Sequence, residues 1–148
     1  MSEAQSVADA VGAGMYPRDR AAQALGIEVD AIQPGGAVCR MTVREDMVQG
    51  HGTCHGGIVF TLADTAFAYA CNAYNRVTVA LNAEIAFLAP ARLGDVLTAT
   101  ARERSRAGRT GVYDVEVRNS TGTLVALFRG TAYETRGAVV TPAPTEGA

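Results

Sequence analysis

Residues 58–74 read IVFTLADTAFAYACNAY. Set on a helix from about Gly57 to Tyr74, this stretch is apolar or small on every side, so no face of it suits water. Such a helix has to be surrounded by protein. It is interrupted by Asp64 and two threonines and is short for a bilayer span. The rest of the chain must therefore supply a layer that wraps it. One layer covers only part of a helix, which points to a second subunit for the remainder.

The flanking sequence is suited to build that layer from strands. Gly26–Gln33 and Ala37–Arg44 read as strands around the Pro34–Gly36 turn. Val77–Phe87, Asp95–Arg104, Tyr113–Arg118 and Leu124–Tyr133 follow the helix with period-two patterning. Within the third of these, Tyr113, Val115 and Val117 alternate with Asp114, Glu116 and Arg118. The last four strands run consecutively through short turns, which favours an antiparallel sheet. One long helix on one antiparallel sheet is an α+β layer architecture. Residues 16–136 form the folded domain. Residues 1–15, with Gly12 and Gly14 breaking a patchy helical pattern, and the Pro/Gly-bearing tail 137–148 are expected to be flexible.

Composition narrows the partners. A formal net charge of −2 gives no pull toward nucleic acid or anionic membrane. Three cysteines spread through apolar stretches suit reduced thiols in a cytoplasm better than a disulfide frame, and the acidic N-terminus carries no secretory pattern.

The chemistry concentrates in two places. Asp64 is the only charge between His55 and Arg76. A carboxylate in an apolar helix is costly unless it is bonded, paired or protonated, so it is either a satisfied structural residue or a group tuned for reaction. Just upstream, QGHGTCHGG at 49–57 holds both histidines of the chain, His51 and His55, with Cys54 between them. As a metal site it lacks a second ligand cluster. A Cys54–His55 nucleophile pair is poor because adjacent side chains rarely aim at each other. The backbone offers another reading: Gly56 and Gly57 open the helix, either as a plain glycine start or as an end whose unpaired amides and positive dipole hold a phosphate, or stabilise an oxyanion where an acyl carbonyl points at it. Asp64 lies about 12 Å farther along the axis, at about 1.5 Å per residue. One carbonyl cannot easily sit beside both groups of one helix, which favours a site shared between two antiparallel helices of a homodimer. Arg102, Arg104, Arg106 and Arg109 are either a solvated hairpin or a cation patch for phosphates.

HGTCHGGIVFTLADTAFAYACN, with FLAPARLGD, GRTGVYDVEV and VALFRG, strongly resembles the PaaI-type acyl-CoA thioesterases of phenylacetate catabolism, within the hotdog-fold superfamily. The resemblance runs from about Tyr16 to Tyr133. It implies a long helix wrapped by a curved antiparallel sheet of five to six strands, dimers with shared active sites, and a dimer of dimers. It implies hydrolysis of aryl-acyl-CoA thioesters such as phenylacetyl-CoA and its ring-hydroxylated relatives, without cofactor or metal. On this resemblance Asp64, Gly56, His55 and Gln49 fall at catalytic positions, Gln49 standing where the family usually has Asn. Gly57, Thr65, Phe87, Arg106 and Arg109 are placed as substrate contacts, the arginines as an inference about the CoA phosphates. Asp64 either activates water or attacks directly. Two further readings stand beside this one: an enoyl-thioester hydratase, which wants a catalytic His paired with an acid, and a non-catalytic acyl-CoA-binding module, which needs no carboxylate in the helix.

Overall fold

The computed structural model describes residues 1–141. After helices α1 (Glu3–Met15) and α2 (Arg20–Ala24) come strands β1 (Glu28–Gln33) and β2 (Gly36–Thr42). The long helix α3 (Gly56–Asn72) follows, then β3 (Thr78–Phe87), β4 (Val96–Ala107), β5 (Thr110–Arg118) and β6 (Leu124–Glu134). The six strands form one antiparallel sheet in the order β1-β2-β4-β5-β6-β3. With α3 packed on one face, this is the hotdog arrangement.

Alternation decides which face meets the helix. Leu97, Ala99 and Ala101 of β4 and Tyr113, Val115 and Val117 of β5 are buried, while their neighbours in sequence face outward. From the helix come Leu62, Ala63, Ala66, Phe67, Tyr69 and Ala70, all buried. Phe67 is central, with its ring 5.7 Å from both Tyr113 and Phe128. It needs a gap in the sheet to seat. A Cβ at Gly130 would lie 2.7 Å from that ring, so glycine there admits it. The remaining side of α3 (Gly57, Thr61, Asp64, Thr65 and Ala68) is left uncovered or half-covered by the sheet.

Asn75, in the left-handed region at φ 62°, turns the chain after α3 toward β3. Asn72 fixes the join, as the only buried polar residue among those described. Its side chain accepts from the Thr78 amide (2.9 Å) and donates to the Thr78 and Ala68 carbonyls (3.1 and 2.8 Å). The end of the helix and the start of β3 are thereby tied.

Two features depart from the sequence reading. First, β3 does not pair with β4. It crosses to the far side of the sheet and pairs with β6 from Thr78↔Glu134 to Phe87↔Ala126. The connection at 88–95 spans the end of the sheet instead of making a hairpin, held by Leu88 N–H to the Val125 carbonyl and Cys54 N–H to the Ala91 carbonyl, both at 2.8 Å. Second, residues 1–15, read as flexible, carry α1. Ser2 caps it by accepting from the Gln5 amide, and Ala8 and Val11 are buried. The two glycines that seemed to break the pattern are sites of close approach: a Cβ at Gly12 would meet Ile32 at 3.2 Å, and one at Gly14 would meet Val140 at 2.2 Å. The first part of the expected flexible tail is engaged too, since Asn75 both donates to and accepts from the Val140 backbone (3.0 and 2.9 Å). Residues 142–148 lie outside the described residues.

Candidate active site

The loop before α3 is held mainly by backbone. Gln49 N–H donates to the Thr53 carbonyl, Gly52 N–H to the Gln49 carbonyl (both 2.9 Å), and His55 N–H to the Met47 carbonyl (2.8 Å). It delivers the chain to the start of α3, where four amides need acceptors. His55 is the N-cap residue. Its Nδ1 accepts from the Gly57 N–H at 2.9 Å, and its carbonyl accepts from Ile58 and Val59. With Nδ1 an acceptor, the neutral ring carries its proton on Nε2. The Gly56 N–H alone in this first turn finds no acceptor among the described residues.

Gly56 also lines a recess of about 420 Å³, together with Gln49, Thr53, Cys54, Val59, Phe87 to Ala91 and Val125. Phe87 lies against Gly56. A Cβ added there would sit 3.0 Å from the Phe87 ring, so glycine lets the ring lie close against the backbone. Phe87 is 55% exposed and forms a wall that a ligand can touch. Gln49 presents its side chain in a fixed direction: Oε1 accepts from the His51 amide, and Nε2 donates to Thr53 Oγ1 at 2.7 Å.

Asp64 is half-buried and has no hydrogen-bond or ion-pair partner among the described residues. Burial alone pushes its carboxyl above the ordinary value of 3.8. Removing water without supplying a partner is the environment that makes a carboxylate more basic. Thr65, next to it, turns its hydroxyl into the helix and donates to the Thr61 carbonyl at 2.7 Å. Gly57 has spent its N–H on His55 and offers only exposed backbone surface.

The arginines do not gather at this end of the chain's own helix. Arg106 stacks its guanidinium 3.7 Å from the centre of the Tyr74 ring and faces Glu134 at 3.6 Å. Arg109 donates to the Glu134 carbonyl at 3.4 Å. Both therefore sit by the C-terminal end of α3, opposite Gly56, because the β4–β5 hairpin reaches past that end. Arg104 turns to the outer face of the sheet and pairs with Asp114 at 3.5 Å, so the four-arginine cluster read from sequence divides between locations.

The three cysteines are all free and buried. Burial pushes the Cys39 and Cys71 thiols up to about 12, and raises Cys54 as well. Cys54 is thus no thiolate nucleophile at neutral pH. Among the described residues no group of three His, Cys, Asp or Glu side chains is placed to hold a metal. Sequence reasoning missed Thr53, Val59, Leu88, Pro90, Ala91 and Val125. The only available signals were the hydroxyl two residues before His55 and the Pro that stops β3 from continuing.

A family model described as "Thioesterase superfamily" matches residues 51–126. The chain is 49% identical over 125 residues to the acyl-coenzyme A thioesterase PaaI of Escherichia coli K12, covering 84% of this chain and 89% of that protein. The solved structure of the E. coli PaaI protein from the phenylacetic acid degradation operon superposes with a TM-score of 0.89 at 46% identity, covering 90% of this chain and 97% of the other. A hypothetical thioesterase of Streptococcus pneumoniae TIGR4, solved with coenzyme A, superposes with a TM-score of 0.73 at 27% identity, over 76% of this chain and 90% of that one.

Proposed function

The chain belongs to the thioesterase superfamily, and from that premise we propose that it hydrolyses acyl-CoA thioesters, with aryl-acetyl groups such as phenylacetyl and hydroxyphenylacetyl as the preferred acyl portion. The observation that carries this reading is the Gly56 N–H, which has no acceptor among the described residues and belongs to a residue that lines the recess. A thioester carbonyl directed at that amide gains an oxyanion donor backed by the positive end of α3. CoA leaves as a thiolate of pKa about 8.5, so no strong general acid is needed.

The reaction also needs water activated or a nucleophile supplied. Asp64 is the candidate for either role, and its distance along α3 puts it out of reach of a carbonyl held by Gly56 of the same chain. The site is therefore completed by Asp64 of the partner subunit. Strand β3 supports such a dimer. It is an edge strand of ten residues with no Pro or Lys, and Val79 and Leu81 within it are 46 and 62% exposed, as is Val77 just before it at 37%. Pairing two β3 strands antiparallel would carry the sheet through both subunits and set their helices antiparallel. It would also bring the Arg106 and Arg109 end of one chain toward Gly56 of the other, where the CoA phosphates would lie. Leu127 and Tyr133, exposed on the outer face of the sheet, suit a dimer of dimers. A cytoplasmic site of action fits the three free thiols, and no described helix is long and apolar enough to cross a membrane.

The test is thiol release from a panel of phenylacetyl-, hydroxyphenylacetyl-, straight-chain and enoyl-CoA, with Asp64→Ala and Asp64→Asn beside the parent. Faster turnover of the aryl-acetyl substrates and loss in both variants are expected. Hydration of the enoyl group without thiol release would favour a hydratase. Binding without turnover would favour a carrier module, and undiminished activity in both variants would remove Asp64 from the mechanism.

A further inference from the structure

Gln49 is longer by one methylene than the Asn expected at its place, and a longer arm has more rotamers in which to lose its direction. Here it does not lose direction, because both ends of its carboxamide are held. Oε1 takes the His51 N–H, and Nε2 donates to Thr53 Oγ1 at 2.7 Å. The loop itself does not need this second bond. Residues 49 and 53 are already joined through their backbones, Val48 bridges to Cys54, and Cys54 N–H is anchored on Ala91. What the hydroxyl of Thr53 adds is the aim of the Gln49 amide. Gln49 and Thr53 both line the recess that Gly56 opens on, and one Nε2 proton has no acceptor among the described residues. A carboxamide held in this way keeps one N–H of fixed direction unspent.

We infer that Thr53 is a positioning residue, which holds the Gln49 side-chain amide toward the thioester in the recess and so makes the longer Gln serviceable at that position. The inference rests on the thioesterase reading. Thr53 touches no reacting atom in it. Valine has the same shape without the hydroxyl, so Thr53→Val releases Nε2 while keeping the side-chain volume. Serine keeps the hydroxyl.

The experiment measures steady-state thiol release from phenylacetyl-CoA for Thr53→Val, Thr53→Ser, Gln49→Ala and the double variant Gln49→Ala/Thr53→Val, with thermal melting of each. The expected result is a kcat reduced about tenfold in Thr53→Val, with KM within about twofold of the parent and a melting temperature close to it, as for loss of a group felt chiefly in the transition state. Thr53→Ser should keep at least about half of the parental kcat. In the Gln49→Ala background, Thr53→Val should cost nothing more, because there is no amide left to aim. An unchanged kcat in Thr53→Val, a failure of Ser to preserve it, or full additivity in the double variant would overturn the assignment. Absence of thiol release from the parent with every acyl-CoA offered would instead remove the thioesterase reading on which it stands.

Discussion

The two edges of the sheet are finished in opposite ways. At one edge β1 is six residues long and carries a register shift between Val29 and Ala31. It bears Glu28 and Asp30, paired to Arg40 at 2.7 and 3.0 Å. Helix α1 lies beside it, and Gln5 Nε2 donates to the Ile32 carbonyl at 2.8 Å, using an acceptor that an intruding strand would need. At the other edge β3 is long, apolar and exposed, with nothing laid over it among the described residues. A short, charged, helix-covered edge is how proteins discourage pairing, and a long bare one invites it. The contrast teaches that the fold is closed at β1 and left open at β3. The open edge is where the proposed dimer would complete the active site.

Complementation separates a site shared at the open edge from one built within a single chain. Asp64→Asn and Gly56→Pro should each lower kcat by about 10²–10⁴-fold, the range for a lost catalytic base or oxyanion donor. Proline is tolerated at the first position of a helix, so the second change removes the N–H at little cost to the helix itself, while its ring has to push the exposed Phe87 side chain aside. Co-expressed as mixed dimers, the two variants should recover a substantial share of parental thiol release, since one of the two sites is then intact. No recovery in a mixed dimer of verified composition would place both groups in a site within one chain.

A second prediction sets one edge against the other. Val79→Lys with Leu81→Lys puts like charges across the proposed two-fold, costing several kcal/mol of association. That is about a hundredfold or more in dimer affinity, and activity should fall with it. Asp30→Lys, at the covered edge, should leave both assembly and activity near the parent. Light scattering and thiol release read the outcome, and a β3 variant that remains a fully active dimer would contradict the reading.

Next in size is Asn72→Ala, which strips the Thr78 amide and carbonyl of their partner where β3 begins. A loss of about 1–3 kcal/mol in denaturant unfolding is expected, the cost of buried backbone groups left unpaired.

The smallest effect is in pH. Burial holds the Asp64 carboxyl above 3.8 in the folded chain, so the native state binds this proton more tightly than the unfolded state does. The ionised form therefore subtracts from stability above that raised pKa, and the deficit disappears as pH falls through it. Asp64→Asn should be slightly more stable than the parent at neutral pH and lose that advantage in acid. Activity should run the other way, rising with pH to a plateau through an apparent pKa above 3.8. A chemical-denaturation series and a pH–rate profile check the two halves, and a stability difference that does not vary with pH would contradict the first.

What was legible in sequence follows from which signals are local. The helix at 56–72 and the alternation in β4 and β5 could be read because burial imposes a period on neighbouring residues. The start of the helix at Gly56–Gly57 and the isolation of Asp64 were legible from neighbouring residues too, whereas the His55 side chain's capping bond to Gly57 was not. The pairing of β3 with β6 was not, since two strands separated by β4 and β5 leave no mark of their meeting in local pattern. Nor was α1, where Gly12 and Gly14 look like breaks until Ile32 and Val140 are seen to fill the space above them. Arg106 and Arg109 lie near Gly56 in no sense that one chain supplies, and spacing alone could not have told which end of α3 they reach. The Gln49–Thr53 bond was hidden differently: both residues were in view within one short motif, but whether a loop points them at each other depends on its turn geometry.

The three buried thiols have a consequence for an enzyme whose product is itself a thiol. Each turnover would release free CoA beside Cys54, in the same recess. A protein cysteine with thiolate character there would exchange with CoA disulfide formed from that product and become capped. By keeping Cys54 protonated and nearly covered, with Cys39 and Cys71 raised to about 12, the fold leaves nothing to attack. The enzyme would stay chemically indifferent to the sulfur chemistry of its own product.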